Sequence, residues 1–233
     1  MKRLLLALAP ACAVLALTAA PALATNECRG LQVCVPVVGP WVVVPTGSGV
    51  ARPTVQYQLS CPKGFVVGGL DAELSDRRID VHFQAMLGSP VNPGISTTRV
   101  ALFTGTYVGP GAPAATFRPH IGCLPAAGGG VRVPTAVGPF PVGQPTVWHV
   151  KDVRLKPGSQ RATQSCASGE TLVGASHAIG FYLPEPPPVS SVRQVTATRS
   201  IQGATVVAAV RAGSTVTDIR TVVQVGALCA GGK

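Results

Sequence analysis

Carboxylates are scarce in this chain, with 9 Asp and Glu against 19 Lys and Arg. Aromatic side chains are also few, with 2 Trp, 3 Tyr and 6 Phe among 233 residues. The shortage of aromatics argues against the stacking platforms on which carbohydrate and single-stranded nucleic acid are usually held. After the N-terminal Lys2-Arg3, Lys and Arg form no run beyond the pair Arg77-Arg78, and no aromatic-and-basic interleaving occurs, so a nucleic-acid partner is not expected. Gly-x-Ser-x-Gly and His-Glu-x-x-His are both missing, which removes the two sequence signatures most often carried by exported hydrolases. Beyond the N-terminus no apolar run reaches the ~18 residues that a spanning helix requires.

Helix-forming windows are also lacking, because 27 Gly and 22 Pro interrupt nearly every stretch long enough for helical turns. Short Val-, Thr- and Ile-rich runs lie between these breaks and read as strands. They are Val42 to Val44, Thr54 to Leu59, Phe65 to Gly68, Ile79 to Phe83, Arg99 to Thr104 and Thr116 to Ile121, then Val147 to Leu155, Thr171 to His177, Val189 to Thr196, Thr205 to Arg211 and Thr215 to Val225. Within Arg78-Ile79-Asp80-Val81-His82-Phe83 the apolar and polar residues alternate, as on a strand with one buried face. The spacing predicts an all-β protein of sandwich or barrel type.

The chain opens with Met1-Lys2-Arg3, runs through an apolar stretch from Leu4 to about Ala20 and reaches Pro21-Ala22-Leu23-Ala24. This pattern reads as a signal peptide over residues 1–24, cut after Ala24. A retained anchor and a lipoprotein lipidated at Cys12 are the alternatives. Pro10 interrupts the first, and Ala9-Pro10-Ala11 is a poor cleavage box for the second. Loss of Lys2 and Arg3 with the leader lowers the formal charge from +10 to +8. That surplus favours attraction to polyanions such as an anionic cell-envelope polymer. No transmembrane segment is expected after processing, and no sorting motif precedes Gly231-Gly232-Lys233.

Six cysteines follow the leader: Cys28, Cys34, Cys61, Cys123, Cys166 and Cys229. An even count in an exported chain reads as a disulfide set. Cys61 and Cys123 are 62 residues apart, and Cys166 and Cys229 are 63 apart. Ser60-Cys61-Pro62-Lys63-Gly64 also matches Ser165-Cys166-Ala167-Ser168-Gly169, each followed by apolar residues and Gly. The match predicts two tandem β-sandwich-like units, each closed by one disulfide, Cys61 with Cys123 and Cys166 with Cys229. Cys28 with Cys34 then closes a small N-terminal loop. Exchange between copies, as in Cys61 with Cys229, would instead make one intertwined domain. The units are placed at 25–126 and 131–233, joined by a linker at 127–130. Trp41 and Trp148 read as core residues, with the aromatic matching Trp41 left open, and Tyr107 and Tyr182 as surface residues.

The densest polar cluster comprises Asp71, Glu73, Asp76, Arg77, Arg78, Asp80 and His82. Paired carboxylates there suit general acid–base hydrolysis or Ca²⁺, whereas alternation with Leu70, Ala72 and Leu74 suits a charged strand face. The arginines offer neutralising partners, and the second unit's matching stretch, Gly174 to Tyr182, has no acid. His82, His120, His149 and His177 are scattered without metal-ligand spacing. No catalytic residue, metal site or cofactor is therefore assigned.

Glu27-Cys28-Arg29-Gly30-Leu31-Gln32-Val33-Cys34, Gly39-Pro40-Trp41, Ser60-Cys61-Pro62 and Gly68-Gly69-Leu70-Asp71-Ala72-Glu73-Leu74 together resemble exported two-repeat, disulfide-containing proteins of high-GC bacteria. The resemblance covers mainly residues 27 to 125. It implies export and paired cysteines, and it carries over no catalytic residue.

The functional expectation is a non-enzymatic secreted or envelope-associated protein that contacts an anionic polymer or a protein partner. A hydrolase using the Asp71 to Asp80 carboxylates is one alternative. A second is an inhibitor-like module presenting the Gly88 to Gly94 or Pro184 to Pro188 loop.

Overall fold

The computed structural model describes residues 26–31, 33–46, 52–85, 99–110, 114–126 and 146–231. The leader expected at 1–24, Cys12, the linker expected at 127–130 and the Gly88 to Gly94 loop lie outside these residues. The first half (26–126) contributes β1 (Val35–Val38), β2 (Trp41–Val44), β3 (Thr54–Ser60), β4 (Phe65–Leu74), β5 (Ile79–Ala85), β6 (Val100–Tyr107) and β7 (Ala115–Pro125). The second (146–231) contributes β8 (Thr146–Arg154), β9 (Gly158–Ser165), β10 (Glu170–Phe181), helix α1 (Val189–Arg193), β11 (Val195–Gln202), β12 (Thr205–Ala212) and β13 (Thr221–Gly231). The protein is all-β, and no helix among the described residues is long and apolar enough to cross a membrane.

Strand pairing follows the same order in the two halves. β4 lies antiparallel to β7 as β10 does to β13, while β6 sits between β3 and β5 as β12 sits between β9 and β11. Both long pairs carry a register shift at corresponding places, between Val67 and Gly69 and between Leu172 and Gly174. The shared Cys-x-x-Gly motif has a local physical cause. Phe65 N donates to Pro62 O and Glu170 N to Ala167 O, each at 3.1 Å, and each turn then needs a residue with positive φ. Gly64 and Gly169 supply it, at 86° and 85°.

The cysteines that open these turns clip each small sheet to a large one. Cys61 bonds Cys123 of β7 and Cys166 bonds Cys229 of β13, while Cys28 bonds Cys34. No bond is exchanged between the halves. They are nevertheless joined, because β2 pairs with β7 on one edge and with β10 on the other, through Trp41 with Phe181 and Val42 with Gly180. The result is a seven-stranded sheet running β1-β7-β2-β10-β13-β8, with β4 on the far edge of β7.

Alternation along β2 shows how the cores divide. Val42 and Val44 enter a cluster with Tyr57, Phe103, Phe117 and Ile121, whereas Trp41 and Val43 enter another with Phe181, Val206, Val223 and Val225. Successive side chains of a strand point to opposite faces. The sheets β3-β6-β5 and β9-β12-β11 therefore cover opposite faces of one shared sheet.

Several expectations from sequence are corrected. Val189 to Thr196 is not one strand. Pro188 O accepts from Ser191 N and Val192 N, and α1 forms before β11 begins at Val195. Pro188 is the N-cap of that turn, still extended at φ −55° and ψ 143°. Thr215 to Val225 likewise starts as a 3₁₀ turn over Ser214–Thr217, with the strand delayed to Thr221. β9 and β1 give no strong apolar alternation, since β9 reads GSQRATQS and β1 contains Pro36. Tyr107 is buried rather than superficial. Trp41 is a core residue, 3% exposed, but it fills the core of the second half.

Candidate functional site

The acidic cluster of the sequence is divided among three places. On β4, Asp71 and Glu73 share a face with Gly69, while Leu70 packs on the first core. Asp71 accepts from Asn26 N at 2.6 Å and Ala72 N at 2.8 Å, and Glu73 lies 3.4 Å from Arg118. In the turn before β5, Asp76 accepts from the backbone N–H and the guanidinium of Arg78, with the shortest contact at 2.6 Å. Those bonds pull the Asp76 carboxyl down to about 2. Asp80 and His82 form an exposed pair at 3.2 Å on β5. Asp71 is thus held by backbone N–H groups and the others by ion pairs, and none of the cavities described below is lined by them.

A histidine that the sequence offered no reason to single out completes the β4 patch. His120, 3% exposed, sits opposite Asp71 in the β4–β7 register. Its Nδ1 lies 3.7 Å from Glu27 and its Nε2 lies 3.6 Å from Glu73, both beyond hydrogen-bond range. The N-terminal segment partly covers this patch. It lies so near the sheet that a Cβ on Gly69 or Gly122 would run into the Glu27 carbonyl oxygen. The two glycines thus let the N-terminal segment seat, with Glu27 and His120 buried beneath it and Glu73 and Arg118 left partly exposed.

Arg118 ties this patch to the second half. Its guanidinium donates to Pro184 O at 3.1 Å and lies 5.8 Å from the centroid of the Trp41 ring. This contact anchors the start of the Pro184 to Pro188 loop. Elsewhere, His149 Nε2 and Glu170 Oε2 are 2.7 Å apart near Cys229 Sγ, but that sulfur is in a disulfide and is not a metal ligand. A polar cavity of about 260 Å³ between the halves is lined by Gln58, Ser60, Trp148, Asp152 and Gln224.

The largest of these cavities also lies between the halves. β2 pairs with β10 only at Gly180 and Phe181 and then turns away. The divergence opens a groove of about 680 Å³, whose one wall runs from Arg52 to Gln56 and whose other is formed by Ala175 to Ile179 with Arg199 of β11. Val43 and Ile179 give it an apolar floor. Among the described residues Arg52, His177 and Arg199 are its ionisable lining, and no carboxylate is present.

The two arginines are positioned by their neighbours. Arg52 donates to Tyr107 O at 3.2 Å, Arg199 donates to Ala175 O, and His177 of β10 lines the same groove. Burial and then the adjacent Arg199 guanidinium hold the His177 imidazole below its ordinary value, against a smaller opposing effect of the Ala197 carbonyl. Two fixed positive charges on a partly apolar concavity form a receptor for negative charge. A second, shallower depression, about 630 Å³, lies on the β9-β12-β11 sheet around Arg161, Arg211, Thr196 and Thr198.

Sequence reasoning missed the groove because Arg52, His177 and Arg199 stand singly in unremarkable contexts. The surplus of positive charge was the only signal pointing toward it. No protein-family model matches the chain, and neither curated proteins nor solved structures gave a match.

Proposed function

We propose that this chain is an exported, non-enzymatic binding protein of the cell surface or surroundings, and that the groove between its halves receives an anionic ligand. The observation that carries this reading is the pairing of Arg52 and Arg199 across a groove whose described lining contains no carboxylate. The net charge of the mature chain supports it by adding a long-range field of the same sign. Three disulfides and the N-terminal leader pattern support an oxidising destination outside the cytoplasm. The resemblance to exported proteins of high-GC bacteria agrees with that destination.

We read the two halves as copies of one unit, and the matched turns, register shifts and pairing order support this. The copies have diverged in use. The first carries a charged patch partly covered by its N-terminal segment, and the second supplies the His177 and Arg199 side of the groove.

The experiment is retention of the full chain on a purified anionic cell-wall polymer. At low ionic strength the wild type is retained, and it is released as salt shortens the screening length from about 30 Å at 0.01 M to about 8 Å at 0.15 M. Arg52→Glu with Arg199→Glu abolishes retention. Retention unaffected by that double change places the binding surface elsewhere.

A further inference from the structure

The groove has a property that simple charge attraction does not use, namely that it runs between two strand edges. β10 is hydrogen-bonded to β13 along its length, but on its other edge, among the described residues, it has a strand partner only at Gly180 and Phe181. β3 is paired to β6 on one edge and to no described strand on the other.

The groove is lined by consecutive residues on both sides, Ala175 to Ile179 and Thr54 to Gln56. Neighbouring residues of a strand point to opposite faces, so a cavity touching every residue in succession lies against the edge of each strand. Unpaired edges are templates for another strand. Five residues of β10 offer about 17 Å of edge at ~3.4 Å per residue.

Arg199 marks this edge as open to exchange. Its guanidinium donates to Ala175 O, occupying a carbonyl of β10 with an exposed side chain in place of a neighbouring strand. An incoming strand that takes over that carbonyl releases Arg199 to pair with a carboxylate of the ligand.

We propose that the ligand of the groove is an extended acidic polypeptide segment, which adds as a strand along β10 and presents carboxylates to Arg52 and Arg199. This rests on the reading of the groove as an anion site and names the class of anion. The backbone supplies hydrogen bonds to the edge, and the acidic side chains select against neutral or basic segments. A sulfated or phosphorylated polymer shares the charge but lacks the regularly spaced amides.

The test uses the full chain with its disulfides intact and a labelled, end-blocked octapeptide of alternating Glu and Val. Two peptides of the same sequence and charge carry backbone N-methyl groups at the odd or at the even residues, and polyphosphate serves as an anion without amides. Fluorescence anisotropy gives affinity, and hydrogen exchange gives protection at residues 175–179. The proposal predicts that the octapeptide binds and slows exchange across 175–179, that at least one N-methylated peptide binds at least tenfold more weakly, and that Arg52→Ala with Arg199→Ala weakens the parent peptide at least tenfold.

Equal binding of all three peptides, or absence of octapeptide binding while polyphosphate still depends on Arg52 and Arg199, overturns strand addition and leaves the anion groove standing. If no probe depends on those two arginines, both readings fall.

Discussion

Gln224 of β13 grips the backbone of Gln58 on β3, its side-chain oxygen accepting from Gln58 N at 2.6 Å and its side-chain nitrogen donating to Gln58 O at 2.9 Å. The same nitrogen donates to Asp152 at 2.9 Å. One residue of the second half therefore substitutes for a strand partner on the unpaired edge of the first. Because the bonds use the main chain of Gln58, its side chain is dispensable to them. Gln224→Ala is expected to cost about 2 kcal/mol, the scale for orphaning partly buried polar groups, whereas Gln58→Ala costs well under 1 kcal/mol. Urea unfolding of the two variants measures the difference.

The partly covered patch makes a steric prediction. Gly122→Ala or Gly69→Ala places a methyl group against the carbonyl of Glu27, whose backbone is held nearby by the Cys28–Cys34 bridge. Either change is expected to lift the N-terminal loop and lower stability by about 1–3 kcal/mol, in the range for overpacking. Faster exchange at the amides of 26–31 and a lower Tm are the readouts. Gly64→Ala, which meets no atom within 4 Å, should instead show only the cost of a positive φ, about 1–2 kcal/mol, with exchange at 26–31 unchanged.

The disulfides are expected to rank by loop length. Replacing Cys166 and Cys229 with Ala removes a bridge of separation 63 and costs about 4 kcal/mol in the chain-entropy account, whereas removing Cys28–Cys34, separation 6, costs about 2 kcal/mol. Denaturant unfolding of the two double variants tests the order.

The disulfide pairing was legible because two spans of nearly equal length carried the same Ser-Cys-x-x-Gly turn, a constraint written locally and repeated. Most strands were legible for the same local reason. β9 was not, because its inward positions are Gln160, Ala162 and Gln164, which give no apolar alternation. His120 was not, because its partners Glu27 and Glu73 come from distant segments brought together by the covering loop. The groove depends on where β2 stops pairing with β10, a long-range event to which no stretch near Arg52 or Arg199 refers.

His177 gives the groove a pH dependence with a definite sign. Its folded-state pKa is lowered from 6.5, so the unfolded chain takes up the proton first, and stability falls as pH drops through 6.5. A bound anion beside the imidazole favours the charged form and reverses that balance. Affinity for an acidic ligand is therefore expected to rise between pH 7.5 and 5.5, a window in which Glu side chains, near 4.3, stay mostly ionised. His177→Gln should flatten the profile, as followed by titration at fixed ionic strength.

The central claim is that position in the groove, and not positive charge alone, determines binding. The most direct measurement compares the affinity of labelled polyphosphate for wild type, for Arg52→Ala with Arg199→Ala, and for Arg161→Ala with Arg211→Ala, which removes the same charge from the β9-β12-β11 sheet. The account predicts at least a tenfold loss, about 1.4 kcal/mol, for the groove pair and less than a threefold loss for the other. Equal losses from the two pairs would contradict it.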